Sequence, residues 1–282
     1  MSANSKPKPP TITVSDLLKL GSQSLNSAGV NSSQIDAEII LAHKLNVGRT
    51  WLRSHDQDLV SNSSTEQYMD LIKRRALHEP VAYITGVKEF YGRNFKVTHD
   101  TLIPRPESED IITFLKDAAE SNTIDQIVDI GTGSGALAIS ASLELPHTPV
   151  LATDISSAAL EVAKSNALNL HAEVEFKLND LLSDIELGNN VALLANLPYV
   201  DRDWDFLSKD IAFEPSSALF AGDSGLELIF KLLDQITKSN ANNTLLILES
   251  DTSQQPRIES RLSDQRYTIL KKSDYIIAAL KH

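Results

Sequence analysis

Residues 126–135 have the sequence Q-I-V-D-I-G-T-G-S-G, and this stretch decides how the chain folds. It begins with a short apolar run that has the length of a buried strand. Glycines then alternate with Thr132 and Ser134, and a mostly apolar segment follows until Pro146 ends it, which is typical of a helix. Glycines let a backbone approach a ligand closely, and a helix N-terminus offers free N–H groups. The stretch therefore predicts a strand, a ligand-binding turn and a helix.

The spacing of the glycines indicates which ligand the turn binds. Dinucleotide-binding turns have the form G-x-G-x-x-G, whereas this turn is G-x-G-x-G with an aspartate ahead of it in the strand. The form D-x-G-x-G-x-G resembles the first motif of S-adenosylmethionine-dependent methyltransferases, whose ligand carries a methionine tail and no pyrophosphate. The alternative is a glycine-rich turn without a ligand. The resemblance implies that S-adenosylmethionine binds along Asp129, Gly131, Thr132, Gly133, Ser134 and Gly135.

Composition excludes several classes of protein. The chain has 282 residues, enough for two domains, and residues 1–10 are polar and proline-rich, as in a disordered tail. It contains no cysteine, which excludes disulfides, cysteine metal sites and a thiol nucleophile and fits a reducing compartment. Its seven histidines lack metal-binding spacing, so we expect no metal.

The net charge of −12 disfavours binding to bare nucleic acid, and no apolar run is long enough to span a membrane. We expect a cytoplasmic monomer that contacts neither nucleic acid nor membranes.

The hydrophobic pattern changes along the rest of the chain. Residues 11–79 have helical periodicity and predict a small N-terminal helical domain. Residues 80–101 predict a connecting β-hairpin, with strands at 81–86 and 89–97. From residue 102 to residue 282 strands alternate with helices, which predicts an α/β domain with a parallel sheet. With the glycine motif, this pattern resembles the Rossmann-like sheet of class I S-adenosylmethionine-dependent methyltransferases.

Further ligand contacts are predicted where two strands end, because open α/β sheets bind ligands outside the carboxyl ends of their strands. Asp154 follows the second predicted strand, where its carboxylate can accept both hydroxyls of a ribose, and Ile155 lies beside it. The alternative role for Asp154 is to cap the helix that starts there. Asp180 and Leu181 follow the third predicted strand. Asp180 can accept from an adenine amine, and Leu181 can cover the face of the ring.

The segment N-L-P-Y, residues 196–199, ends the fourth predicted strand. It resembles the N-P-P-Y motif of methyltransferases that act on planar NH₂ groups, such as those of adenine and glutamine. The nitrogen of such a group is a poor nucleophile because its lone pair is delocalised. The Asn196 side-chain oxygen and the Leu197 carbonyl can accept its two hydrogens and let the nitrogen pyramidalise. Tyr199 can stack on the planar group and Pro198 stiffens the turn; the alternative is an ordinary strand-to-loop turn.

A wider resemblance extends over residues 36–248 and points to one family. The chain is similar to the HemK/PrmC family of peptide chain release factor glutamine methyltransferases. This resemblance implies that the protein uses S-adenosylmethionine to methylate the side-chain amide nitrogen of the glutamine in the G-G-Q motif of release factors. The segments that carry it are Y-I-T-G at 83–86, K-E-F-Y-G at 88–92, L-I-P-R-P-E at 102–107 and F-E-P at 213–215.

The resemblance also assigns residues. It implies that the glutamine is bound by Asn196, Leu197, Pro198 and Tyr199, of which Asn196 also contacts the cofactor. We expect Phe90 and Arg105 to contact the substrate as well. Because proline on both sides holds Arg105 in an extended segment, a site-lining role is favoured over that of a linker.

Two competing functions remain open at this point. An adenine amino-methyltransferase acting on RNA or DNA is supported by Leu197, since N-L-P-Y also resembles the motif of ribosomal RNA adenine dimethyltransferases, but the net charge argues against it. A non-catalytic S-adenosylmethionine-binding module is opposed by the intact Asn196 and Tyr199. The chain departs from the family at Leu181, where an aromatic residue is common, and at residues 272–274, where a longer segment is expected.

Overall fold

The computed structural model describes residues 12–201, 204, 208–222, 224–239 and 241–281, so the predicted tail at residues 1–10 lies outside the described residues. Contacts divide the chain into two compact units, with the division between Gly86 and Val87. Residues 80–86, which the sequence pattern placed in a linker, therefore lie with the N-terminal unit. In the described part of the chain, no helix combines the length and the apolar character needed to cross a membrane.

The N-terminal unit consists of helices that pack round one apolar core. Thr13 caps its first helix, because the Thr13 Oγ1 accepts the N–H of Asp16 at 3.1 Å and so satisfies a donor that the helix leaves free. A buried ion pair lies inside the unit, with Arg75 Nε 2.8 Å from Asp36 Oδ2. The elements are β1 (Ile12–Thr13), α1 (Val14–Ser27), α2 (Ser33–Leu45), α3 (Arg49–Ser54), β2 (Leu59–Val60), α4 (Asn62–Ala76) and α5 (Val81–Thr85).

The predicted strand at residues 81–86 is wrong, because these residues form the helix α5. The segment contains β-branched and aromatic residues, which favour strands, but its two ends favour a helix. The φ of Pro80, −57°, suits a helix start, and Gly86 ends the helix with a φ of 74°, which glycine adopts at low cost. The hairpin lies later than predicted. It consists of β3 (Val87–Phe90) and β4 (Arg93–Lys96), which pair antiparallel.

The second unit is organised round a seven-stranded sheet. Its strands are β5 (Gln126–Ile130), β6 (Val150–Asp154), β7 (Glu175–Leu178), β8 (Val191–Ala195), β9 (Thr244–Glu249), β10 (Tyr267–Lys272) and β11 (Ile276–Lys281). They lie in the order β10-β11-β9-β8-β5-β6-β7, and β11 pairs antiparallel with both of its neighbours while the other pairs are parallel. The predicted Rossmann-like α/β methyltransferase fold is confirmed. The carboxyl ends of the parallel strands meet at one edge of the sheet.

Helices cover both faces of this sheet. Alternate residues of β5 enter two different apolar cores, with Val128 in one and Ile127 in the other. Because both faces are covered, the central strands are buried along nearly their whole length, which explains their continuous apolar sequences. The helices of this unit are α6 (Glu109–Ala119), α7 (Ala136–Glu144), α8 (Ser157–Leu170), α9 (Ser216–Leu219), α10 (Glu227–Lys238) and α11 (Gln255–Asp264), with short 3-10 helices at Pro106–Ser108 and Lys209–Phe213.

Candidate active site

A cleft opens at the carboxyl edge of the sheet, where β5, β6 and β8 end. It brings together most of the residues predicted from the sequence. Four of the predicted residues do not line it, namely Asp129, Gly135, Tyr199 and Arg105. Those that line it are Phe90, Gly131, Thr132, Gly133, Ser134, Asp154, Ile155, Asp180, Leu181, Asn196, Leu197 and Pro198.

The glycine turn needs its glycines for two different reasons. Gly131, Gly133 and Gly135 all have positive φ, at 75°, 55° and 83°, a region that glycine enters without steric cost. A Cβ built on Gly133 meets no atom within 4 Å, so the backbone there is open to the cleft. A Cβ on Gly135 would lie 2.9 Å from Ile139 Cδ1 and 3.1 Å from Ala163 Cβ. Gly135 thus lets α7 pack closely against α8, while Gly133 leaves room for a ligand.

Asp129 lies beneath the glycine turn rather than on the wall of the cleft. Its Oδ2 accepts the hydroxyl of Thr132 at 2.6 Å and the N–H of Ala138 at 3.1 Å, so the side chain ties the turn to the first residues of α7. Among the described residues its Oδ1 has no hydrogen-bond partner. Burial raises the pKa of this carboxyl to about 7, against the opposing effect of its two donors. The role that the structure displays for Asp129 is to support the turn.

Asp154 lines the cleft at the end of β6, and its oxygens hold backbone of the turn on one side and of α8 on the other. Oδ2 accepts the N–H of Gly133 at 2.9 Å, and Oδ1 accepts the N–H of Ser156 at 2.8 Å. Burial raises the pKa of Asp154, and these backbone donors act against the rise. Ser156, and not Asp154, is the N-cap of α8, because its Oγ accepts the N–H of Ala159. The N–H of Ile155 also donates to this carboxylate, which leaves it little remaining capacity to accept from a ligand.

Ile155 and Leu181 supply apolar surface to the same part of the cleft. The Ile155 side chain is 71% exposed, which is unusual for isoleucine and leaves it free to cover a planar ligand. Leu181 is buried and has a φ of 52°, a strained value for a leucine. Asn179 stabilises that conformation, since its Nδ2 donates to the carbonyl of Leu181 at 2.9 Å. Asp180 accepts from Lys231 Nζ at 2.6 Å, and both of these side chains are half-exposed.

Asn196 and Tyr199 belong to a chain of hydrogen bonds that ends on one buried carboxyl. Asn196 Nδ2 donates to Ser108 Oγ at 2.9 Å, and that hydroxyl donates to Glu249 Oε2. The Tyr199 hydroxyl donates to Glu249 Oε1 at 3.0 Å. Burial raises the pKa of Glu249, while the hydroxyls of Ser108 and Tyr199 act against that rise. The chain of bonds connects the wall of the cleft with the interior of the domain.

Other contacts hold the backbone of residues 196–199. Leu197 is buried, and its Cδ2 would lie 3.1 Å from a Cβ on Gly131, so the leucine packs under the glycine turn. Gln254 Nε2 donates to the carbonyl of Tyr199 at 2.8 Å. A Cβ on Gly225 would lie only 2.1 Å from the same carbonyl oxygen, which requires glycine at that position. The tetrapeptide is therefore braced on both sides.

Arg105 forms an ion pair with Glu214, whose side chain is only 3% exposed. The second oxygen of Glu214 accepts the N–H of Ile103 at 3.0 Å. These contacts join the P-R-P-E and F-E-P segments, and Pro104 and Pro215 next to them line the cleft. The structure places Arg105 behind that wall. Phe90, the other predicted substrate contact, lines the cleft from the end of the hairpin.

Comparison with known proteins identifies relatives of this chain. A family model described as the PrmC N-terminal domain matches residues 16–86, and one described as the methyltransferase small domain matches residues 111–210. The release factor glutamine methyltransferase of Aliivibrio fischeri is 32% identical over 269 residues, which cover 94% of each chain. That of Koribacter versatilis is 38% identical over 215 residues, which cover 75% of this chain and 77% of the relative. The chain belongs to the family of release factor glutamine methyltransferases.

Family membership confirms the predicted family, the methyltransferase activity and S-adenosylmethionine as the methyl donor. Among solved structures, the ribosomal protein L11 methylase of Lactobacillus delbrueckii subsp. bulgaricus is similar over 63% of this chain and 81% of its own, with 23% identity and a TM-score of 0.45.

Among the residues that sequence reasoning missed are Ser108, which lines the cleft, and Glu249, which is bonded to it from behind. Ser108 directly follows the P-R-P-E segment, which was singled out for Arg105 alone. Glu249 follows the apolar run of β9, and an acidic residue at the carboxyl end of a buried strand was a usable signal. The contact between them spans 141 positions of sequence, so only the folded chain shows that they act together.

Proposed function

We propose that this protein transfers a methyl group from S-adenosylmethionine to the side-chain amide nitrogen of the glutamine in the G-G-Q motif of a peptide chain release factor. The observation that carries the proposal is the position of Asn196. Its amide lies on the wall of the cleft that the glycine turn and Asp154 also line, and its nitrogen is bound to Ser108, which leaves the oxygen available.

The residues of the cleft fit the cofactor. The open backbone at Gly133 gives space for a methionine tail, and Asp154 lines the cleft beside it with a carboxylate that can accept from the ribose. Ile155 and Leu181 offer apolar surface for the adenine ring. Asp180 can accept the adenine amine on its second oxygen while Lys231 holds the first. When bound, the cofactor supplies an electrophilic methyl group on a sulfonium.

The proposed task of the tetrapeptide is to prepare the substrate amide. Asn196 Oδ1 and the carbonyl of Leu197 accept the two amide hydrogens, which orients the nitrogen and reduces its conjugation with the neighbouring carbonyl. The second acceptor is a backbone oxygen, so leucine in place of proline preserves it. The buried side chain of Leu197 keeps that carbonyl in place by packing under the glycine turn. The proton leaves after transfer, so no strong base is required in the site.

Release factor is favoured over nucleic acid as the substrate. The net charge of −12 opposes a phosphate backbone, whereas a protein loop requires no phosphate contacts. Family membership points in the same direction. A cytoplasmic location, a monomeric state and the lack of direct nucleic-acid binding stay predictions.

The test incubates the purified full-length protein with labelled S-adenosylmethionine and, separately, a release factor, ribosomal RNA and DNA. We expect label on the release factor alone and none on a release factor whose G-G-Q glutamine is replaced. Asn196→Ala is expected to abolish transfer. The matched control is Asn122→Ala, an exposed asparagine outside the cleft, which should keep normal turnover. Equal turnover in both variants, or label on RNA or DNA, would refute the proposal.

A further inference from the structure

We propose that Ser108 and Glu249 are positioning residues that fix the orientation of the Asn196 side-chain amide and so present its oxygen to the substrate. The inference rests on the proposed function, because that function makes Asn196 Oδ1 the acceptor. It adds Ser108, which lines the cleft, and Glu249, which does not, and both act through the Asn196 side chain.

The fold brings the three side chains together from separate elements. Strands β8 and β9 pair in parallel with Ala195 opposite Leu248, so the next residue of each, Asn196 and Glu249, lies at the same carboxyl edge of the sheet. Ser108 is the last residue of the 3-10 helix Pro106–Ser108, which approaches that edge from elsewhere in the chain. Ser108 is 2% exposed and Glu249 is 1% exposed. Water therefore does not compete for these groups, and the protein must satisfy their hydrogen bonds itself.

The single hydroxyl proton of Ser108 determines which end of the Asn196 side-chain amide faces Ser108. A serine hydroxyl has one proton, and Ser108 donates it to Glu249 Oε2. Ser108 Oγ can then only accept, and Asn196 Nδ2 meets it at 2.9 Å. A flipped amide would place its oxygen against an oxygen that has no proton left, which is repulsive in a buried site. Glu249 thus sets the direction of the whole chain of bonds, and the amide oxygen of Asn196 stays on the side of the cleft.

Glu249 also acts on the other end of the tetrapeptide. Its Oε1 accepts the hydroxyl of Tyr199 at 3.0 Å, so one carboxyl holds Tyr199 directly and Asn196 through Ser108. Asn196, which lines the cleft, and Tyr199, which lies behind its wall, are therefore anchored to the same buried group. This arrangement keeps the acceptor and the aromatic ring in a fixed relation.

Three variants of the full-length protein test the inference by turnover. Ser108→Ala removes the acceptor, and Glu249→Gln, which is nearly isosteric, replaces an acceptor by an amide that can donate to Ser108 and so permit the flip. We expect either change to lower kcat for release factor about tenfold to a hundredfold, the usual effect of misplacing a reacting group. The KM and Kd for S-adenosylmethionine should stay within about twofold, because only the acceptor is disturbed. Ser108→Thr keeps the hydroxyl and should restore most of the lost kcat.

A second measurement does not depend on turnover. In ¹H–¹⁵N spectra, the side-chain NH₂ signals of Asn196, assigned by their loss in Asn196→Ala, should shift and exchange faster in Ser108→Ala and Glu249→Gln. A Ser108→Ala protein with normal cofactor affinity and wild-type kcat, or with unchanged Asn196 signals, would overturn the inference. If the wild type fails to methylate release factor, the proposed function fails, and the NMR signals still decide whether the amide is held by Ser108.

Discussion

Replacing Asp129 by asparagine should change how the stability of the protein depends on pH. The Asp129 carboxyl has an ordinary pKa of 3.8 when exposed and a pKa of about 7 in the folded protein because it is buried. Between these values the folded state binds more protons than the unfolded state. The stabilisation is therefore fully present below about pH 3.8 and is lost as the pH rises through about 7. In Asp129→Asn this contribution is absent at every pH.

The magnitude follows from the size of the shift. One pKa unit corresponds to about 1.4 kcal/mol, so the full window corresponds to about 4 kcal/mol, a substantial part of the stability of a typical domain. Between pH 5 and pH 7 the wild type should lose stability about 1.4 kcal/mol per pH unit faster than the variant. Asparagine suits the position, because its oxygen can accept from Thr132 and Ala138 as Oδ2 does now.

The assay is urea unfolding of both proteins at a series of pH values from 5 to 8. At each pH the unfolding free energy of the wild type is subtracted from that of the variant, and this difference is plotted against pH. Asp154 and Glu249 also have pKa values raised by burial, but they are present in both proteins and largely cancel in that difference. We expect the stability of the variant relative to the wild type to increase as the pH rises to about 7 and to level off above it. Parallel profiles would show that Asp129 ionises normally in the folded protein and that burial does not raise its pKa.

Three further predictions concern binding and packing. Asp154→Ala should lose about 1–3 kcal/mol of S-adenosylmethionine affinity by calorimetry, since ribose hydroxyls lose their acceptor; unchanged affinity would remove Asp154 from the site. Gly225→Ala should lower methyl transfer and destabilise the fold by at least about 1–2 kcal/mol in urea unfolding, because its φ is 70° and its Cβ would displace the Tyr199 carbonyl. Gly29→Ala, with a φ of 80° and no atom within 4 Å of the Cβ, is the matched control and should cost less and leave transfer normal. Asp36→Ala should destabilise the N-terminal unit by about 3–5 kcal/mol in thermal or urea melts because it leaves the buried Arg75 without this carboxylate, and a loss below 1 kcal/mol would contradict the importance of the pair.

The parts of the fold that were predictable are those with one dominant local signal. The strands β5 and β8 are mostly apolar because helices cover both faces of the sheet. Such short apolar runs are typical of buried strands, so the sequence predicts them directly. Residues 81–86 were mistaken for a strand because the side chains favour one, while the helix is decided by Pro80 and Gly86 at its ends. In this segment the side chains favour a strand and the residues at its two ends favour a helix, and the structure forms the helix.

The site was predictable where the backbone alone sets the position. Asp154, Leu181 and Asn196 follow parallel strands, so any pattern that finds the strands also places these residues at one edge. Arg105 was given a substrate role because the sequence shows its unusual setting between prolines but not its partner, Glu214, which is 109 positions away. Side-chain pairings over such distances depend on the packing of the whole domain, and a single sequence carries no direct signal for them.

The same distinction explains why the tetrapeptide tolerates leucine at its second position. Its acceptors are of two kinds: a backbone carbonyl at Leu197, which any residue provides, and a side-chain oxygen at Asn196, which must be aimed. The carbonyl is held by packing, since Leu197 lies under the glycine turn and Gln254 holds the carbonyl of Tyr199. The side-chain oxygen can be aimed only by hydrogen bonds, because the two ends of an amide have nearly the same shape. Precision at Asn196 therefore requires hydrogen bonds of fixed direction, and Ser108 and Glu249 supply them.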